Sequence, residues 1–355
     1  MYDYLIVGLG LAGISFCETL EKEGKTYHVI SDNSQQSSLV AGGMYNPVIL
    51  KRFTLAWKAK EQLDLAMPFY MDLEQKLGVR LDHKLRVLRK FASIEEQNLW
   101  FEAADKPGLE DFMSTKIQEN KNPSLDAPYG FGEVLHTGRI DTAVLLSSYT
   151  KYLERNGALQ LSTFDFAHFN ATSEHISYKT IKAKQIVFCE GYGLKNNPFF
   201  QYLPLNGTKG ELLSIKAADY IEKNVIKSGV FTIPMGEDLY RVGATYKWKD
   251  KTNTPTKEAK SELLEKLKTF LKCDFEIVDH VAGIRPTVVD RRPLVGQHPE
   301  HKNLYVLNGF GSRGVMIAPY ASGQLFNFIE KGIHLDSEIN IDRFTKKYFP
   351  KKTLE

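Results

Sequence analysis

The strongest constraint on this chain lies in its opening stretch. Tyr4-Leu5-Ile6-Val7 is an uninterrupted apolar run, short enough for one buried strand, and it leads straight into Gly8-Leu9-Gly10-Leu11-Ala12-Gly13. Apolar Ile14, Phe16, Cys17 and Leu20 then recur at helical spacing, with Glu18, Glu21, Lys22 and Glu23 on the other side. Strand, G-x-G-x-x-G and helix in that order make a dinucleotide-binding turn. Gly8 permits the tight turn, Gly10 lets a pyrophosphate approach the backbone, and Gly13 lets the helix lie close on the strand. The unpaired N–H groups at the helix start, around Leu11 and Ala12, would then hold the phosphates with help from the helix dipole.

Such a unit needs a polar residue after its second strand, about 20 positions on, to hold a ribose. Tyr27-His28-Val29-Ile30 is that strand, and Ser31 and Asp32 follow it. Either can serve as the ribose contact; Asp32 can equally cap a loop.

The bulk properties narrow the class. A chain of 355 residues predicts about two domains, and a net charge of +3 is too small to argue for nucleic acid or a membrane surface. No apolar run reaches the roughly 18 residues of a spanning helix. The three cysteines, Cys17, Cys189 and Cys273, are widely separated and odd in number, which suits reduced thiols in a cytoplasmic protein, and no Cys/His spacing suggests a metal.

Helical period runs over Thr54 to Leu77, with Pro68 expected to split it in two, and Arg80 to Phe91 reads as strand. Ser93-Ile94-Glu95-Glu96 is a capping box opening a helix to about Ala104, and Asp141 is the expected cap of a helix to Arg155. Ala183 to Cys189 is a second buried strand. Strand patterns then follow at Glu211–Ile215, Val230–Ile233 and Leu239–Val242, a helix at Lys257–Leu271, and strand again at Phe275–Arg285. The last segment returns to a strand, Asn303–Leu307, a glycine-rich turn, Gly309 to Gly314, and a helix, Ile317–Glu330. The expected fold is therefore α/β: a Rossmann-like dinucleotide domain (1–50, 136–200, 288–355) interleaved with a mainly antiparallel α+β substrate domain (51–135, 201–287).

In sequence order, the chain resembles the D-amino-acid oxidase superfamily, which includes glycine and sarcosine oxidases. The resemblance is carried by Gly8–Gly13, Ala41-Gly42-Gly43-Met44-Tyr45-Asn46-Pro47, Gly138-Arg139-Ile140-Asp141, Val187-Phe188-Cys189-Glu190-Gly191, Lys209-Gly210-Glu211 and Val242-Gly243-Ala244-Thr245. It continues through Ala282-Gly283-Ile284-Arg285-Pro286, Asp290 to Gly296, and the terminal turn and helix. The resemblance implies FAD rather than NAD, bound non-covalently. It also implies a last helix whose start, around Gly311, Ser312, Arg313, Gly314 and Val315, lies by the flavin. Gly42, Gly43, Met44, Asn46 and Gly191 would complete the cofactor contacts. The family has Glu where Ser31 stands here.

The same resemblance implies oxidation of a small carboxylated amine. In that chemistry the cofactor accepts the hydride, and the protein must grip a carboxylate, for which arginine is best suited. Arg285, at a strand end, matches the family's carboxylate-binding arginine, and Arg313 matches a residue near substrate and flavin. Tyr246 is expected at a strand end as a lid over the pocket. Two other readings stand beside this one. The Gly311–Gly314 turn with Ala318-Pro319 is similar to the FAD half of an enzyme acting on a tRNA wobble-uridine carboxymethylaminomethyl group, and Tyr246-Lys247-Trp248-Lys249-Asp250-Lys251 is a basic-aromatic strip. The third reading is a flavoprotein without turnover.

Overall fold

The computed structural model describes residues 1–32 and 34–349. The opening strand, Tyr2–Val7, sits near the middle of an eight-stranded sheet. It pairs in parallel with Tyr27–Ser31 on one side and Ile181–Phe188 on the other. Leu159–Leu161 extends the sheet beyond Tyr27–Ser31, and Leu304–Asn308 pairs in parallel with the far half of Ile181–Phe188. The apolar run Tyr4–Val7 is explained by this position, since a parallel strand is covered on both faces. Tyr4 and Ile6 join the cluster under the helices Leu11–Lys22 and Gly314–Lys331, whereas Leu5 and Val7 join a second cluster with Phe188 and Phe200.

The second large sheet is mainly antiparallel. Its order runs Glu276–Arg285, Thr208–Lys216, Leu239–Gly243, Phe231–Gly236, Val225–Lys227, Val87–Lys90 and Phe131–Val134. Side chains alternate between its faces. One face carries Ile226, Val242, Leu213 and Ile215 into a core with Leu263 and Leu267 of the helix Lys257–Lys268. The opposite face carries Lys227, Phe231, Gly243 and Leu212, which follow one another across the sheet in register; two residues along lie Gly210 and Gly283, and two further lies Arg285. This second face looks into a cleft shared with the first sheet.

Several sequence expectations shift. Pro68 does not split its helix, which runs unbroken over Ala59–Leu77, while Thr54–Leu55 is a short strand before it. An interior proline costs a helix about 3 kcal/mol. The cost is offset by packing, because Ala59, Leu63, Ala66, Tyr70 and Leu73 are all buried and the Tyr70 hydroxyl donates to the Val315 carbonyl at 2.9 Å. Arg80 to Phe91 is not one strand but two, Asp82–Lys84 and Val87–Lys90, belonging to different sheets. The last helix starts three residues earlier than its apolar period suggests, at Gly314, which makes Arg313 its N-cap.

Candidate active site

The glycine turn is held by contacts that exclude any side chain. Gly8 has φ +100°, and a Cβ there would lie 2.6 Å from the Cys189 carbonyl oxygen. A Cβ on Gly13 would lie 2.1 Å from the Gly8 carbonyl oxygen, so this glycine packs helix against strand and does not face the cleft. The helix begins at Leu11 with Gly10 as N-cap and no side-chain cap. The helix start lines the cavity, and Leu11 N donates to the Ser38 hydroxyl at a long 3.4 Å. The helix Gly314–Lys331 also starts without a side-chain cap. Two uncapped helix N-termini thus open onto one cavity of about 1810 Å³. That exceeds the roughly 300–1,000 Å³ of a usual small-molecule pocket and leaves room for a dinucleotide and a second molecule.

Gly10, Leu11, Ala12, Ser31, Asp32, Gly42, Gly43, Met44, Gly191, Gly311, Ser312, Gly314 and Val315 all line this cavity with Gly8. Gly43, at φ +66°, brings its segment hard against the strand Gly138–Ile140, where a Cβ would meet the Ile140 carbonyl oxygen at 1.9 Å. Asn46 lies apart: its carboxamide oxygen accepts from Val48 N at 2.9 Å, making a local turn. Asp32 accepts from Ser34 N at 2.9 Å, and Ser31 is buried at the end of its strand.

Arg285 ends its strand on the cavity face and folds back over Gly210 of the neighbouring strand. A Cβ on Gly210 would fall 2.0 Å from one guanidinium nitrogen, so the absence of a side chain there is what lets the arginine lie down. Nη1 donates to the Thr245 carbonyl at 3.2 Å, and the Tyr246 ring stacks 4.4 Å from the guanidinium carbon. Tyr246 lies three residues beyond the strand end at Gly243 and is more exposed than a closed lid would be, at 58%. Asp290, the obvious structural partner for Arg285, instead accepts from Arg343 Nε at 2.9 Å. Among the described residues neither Arg285 nor Arg313 forms an ion pair, although both line the cavity. Burial lowers the pKa of both guanidinium groups, with the Tyr246 side chain acting in the opposite sense on each. A cation partly withdrawn from water with no carboxylate beside it is a ready anion site.

The flanking residues of Lys209-Gly210-Glu211 point the other way, into a buried network. Lys209 Nζ lies 2.6 Å from Asp250 and 3.5 Å from Glu211, and Glu211 accepts from Thr256 N at 2.7 Å. The basic-aromatic strip is tied back to the protein: Lys247 pairs with Glu262 of the helix Lys257–Lys268 at 2.7 Å, and Lys251 donates to the Gly207 carbonyl at 2.7 Å.

Three cavity residues escape a reading from sequence alone: Glu190, Lys227 and Phe231. Glu190 follows the buried strand Ile181–Phe188, and its carboxylate accepts from the Asn197 amide at 2.7 Å. Burial pushes its pKa up to about 7, with the nearby Asp32 adding to the rise. The signal was there as a lone acid between a strand end and Gly191. Nothing in the strand pattern marked Lys227 or Phe231 as facing the cleft.

A family model described as FAD dependent oxidoreductase matches residues 3–326. A glycine oxidase of Pseudomonas aeruginosa is 30% identical, over 89% of this chain and 91% of its own. A glycine oxidase of Bacillus subtilis is 24% identical, over 96% and 95%. Among solved structures, glycine oxidase from Geobacillus kaustophilus superimposes with a TM-score of 0.79 at 18% identity, covering 97% of each chain.

Proposed function

Because the chain belongs to the family of FAD-dependent oxidoreductases typified by D-amino-acid oxidase, we propose that it oxidises the C–N bond of a small carboxylated amine, an amino acid or an N-substituted glycine. The observation that carries this is Arg285, unpaired by any carboxylate among the described residues and laid across Gly210 in the same cavity as the glycine turn.

The residues present fit FAD. The N–H groups of Leu11 and Ala12, with Gly8 and Gly10 beside them, would hold the pyrophosphate, and Ser31 or Asp32 the adenosine ribose. Gly42, Gly43, Met44 and the turn Gly311–Val315 would flank the ring, and the uncapped helix start at Gly314 would favour negative charge beside it. The cofactor, when bound without a covalent link, supplies the two-electron acceptor for a hydride from the carbon bearing the amine. Arg285 grips the substrate carboxylate, Tyr246 stacks on the guanidinium and fixes its direction, and Arg313 adds positive charge at the helix start. This reading keeps the division into an FAD-binding unit and a substrate unit, with segments 1–50, 136–200 and 288–355 in the first and 51–135 and 201–287 in the second. A tRNA substrate has less support, since Lys247 and Lys251 of the basic strip are engaged within the protein.

Anaerobic flavin bleaching tests the proposal. Glycine derivatives and D- and L-amino acids should include at least one that bleaches the holoprotein. Arg285→Ala and Arg285→Lys should retain FAD and lose about 100-fold in kcat/KM, the scale of removing one partner from a buried charge pair. Bleaching by no amine, or an unimpaired Arg285→Ala, would overturn it.

A further inference from the structure

Lys227 is a cation on the wall of the same cavity for which the proposed chemistry has no use. It ends the strand Val225–Lys227 and pairs across with Phe231, which pairs with Gly243, which pairs with Leu212. Cross-strand partners share a face, and Gly210 lies two residues from Leu212, so Lys227 and the guanidinium of Arg285 stand on one surface. Lys227 Nζ reaches back over the Phe231 ring, 4.7 Å from its centre. From the Phe231 strand to the Gly210 strand is two inter-strand spacings, about 10 Å, and Gly210 lies about 7 Å further along, so the two positions are about 12 Å apart.

The surroundings of Lys227 are as telling as its position. Its Nζ donates to the Ser228 carbonyl at 2.8 Å, and among the described residues it has no ion pair. Arg89 and Lys266, the charged groups that act on it, are each already paired, Arg89 with Glu96 and Lys266 with Glu262. Burial and these two cations lower the Lys227 pKa to about 8. An ammonium held among cations, over an aromatic ring and facing a cavity, is stabilised by an incoming anion.

We propose that Lys227 forms a second anion subsite, and that the substrate is an amine carrying two carboxylates, one held by Arg285 and the other by Lys227 across the Phe231 ring. This rests on the amine-oxidation reading above. A hydrogen bond of about 3 Å at each end leaves roughly 6 Å between the outer oxygens of the two carboxylates, the span of a chain with three atoms between its carboxyl carbons. Glutamate and iminodiacetate have that reach; glycine does not.

The test pairs each dicarboxylate with an amine that lacks the second negative charge, on the holoenzyme. Anaerobic flavin reduction by D- and L-glutamate is compared with D- and L-glutamine, iminodiacetate with sarcosine, and N-(phosphonomethyl)glycine serves to distinguish a phosphonate from a carboxylate as the second anion. Wild type should favour the dicarboxylate over its uncharged partner at least tenfold in kcat/KM. Lys227→Met should cut that ratio at least tenfold, and Lys227→Arg should restore most of it. An equal ratio in wild type and Lys227→Met, a preference for the uncharged partner, or a phosphonate outrunning every dicarboxylate would overturn the proposal. A measurement on wild type alone covers the case in which the variants lose FAD. Glutarate and butyrate are titrated against the oxidised flavin spectrum, and glutarate should bind at least tenfold tighter; equal affinities overturn the subsite. If no amine reduces the flavin, the oxidation reading fails, while the glutarate preference still decides the subsite.

Discussion

Gly210 shows how one residue type can decide a function without deciding a fold. Its backbone has no need of glycine on conformational grounds, since its φ lies outside the left-handed region, but a methyl group there would stand 2.0–2.3 Å from three atoms of the Arg285 guanidinium. The obstacle is the tip of a flexible side chain, so the protein can fold around an alanine by swinging the arginine away. Gly210→Ala should therefore melt within a few degrees of wild type, retain FAD, and raise the KM for a carboxylated amine by at least tenfold; melting curves with steady-state kinetics check both halves. A loss of folding with the arginine's function intact in the surviving protein would contradict the geometry. Arg285 was singled out in the sequence by its match, at a strand end before Pro286, to the family's carboxylate-binding arginine, since the local pattern alone also allowed a structural ion pair with Asp290. Its resting place on Gly210 was not, since that depends on the pairing of two strands about 75 residues apart in the chain. Lys227 was hidden for the same reason: in sequence it is one more lysine after a short apolar run.

At the scale of elements, the parallel sheet was readable and the antiparallel one only partly so. Four consecutive apolar residues announce a strand covered on both faces, whereas strands with one face on a ligand cavity carry glycine, lysine and arginine where a core-facing pattern expects apolar residues. The helical period over Ala59–Leu77 holds, but the break expected at Pro68 is absent, because Pro68 was judged by its local cost while the burial of Tyr70 and Leu73, with Tyr70 bonded to Val315 of the last helix, outweighed it. The end of the strand Ile181–Phe188 yields a prediction of its own. Glu190 keeps its proton to about pH 7 in the folded state, while an unfolded glutamate releases it near 4.5. Between these values the native state binds more protons, so Glu190 makes stability fall as pH rises from about 4.5 to 7, with no further change above. Glu190→Gln removes that slope. Its advantage over wild type should be absent at pH 4.5 and reach on the order of 3 kcal/mol by pH 8, read from chemical denaturation across the range. An advantage independent of pH would assign the carboxyl a different role.

For the whole molecule, the cavity is the place where the two large sheets meet, and few side chains bridge it directly. The short helix Ser37–Val40 touches the second sheet at Gly283, where a Cβ would lie 2.6 Å from Val40, and Ile233 leans on Gly42. Arg241 Nη1 lies 3.4 Å from the Ala41 carbonyl. A cofactor lodged between the sheets would add contacts to both at once, so its binding energy becomes stability of the assembled molecule. Binding to the native state alone contributes about 2.7 kcal/mol at a free ligand concentration of 100 Kd, and about 1.4 kcal/mol more for each further tenfold. Protein stripped of FAD should therefore melt several degrees lower than loaded protein. Its midpoint should climb with the logarithm of added FAD, and NAD at equal concentration should leave it unmoved. Scanning calorimetry over a flavin series checks this. A midpoint indifferent to FAD, or one that NAD raises as well, would mean that the uncapped helix starts at Leu11 and Gly314 do not act on one ligand, and the reading of the cavity as a single flavin site would go with them.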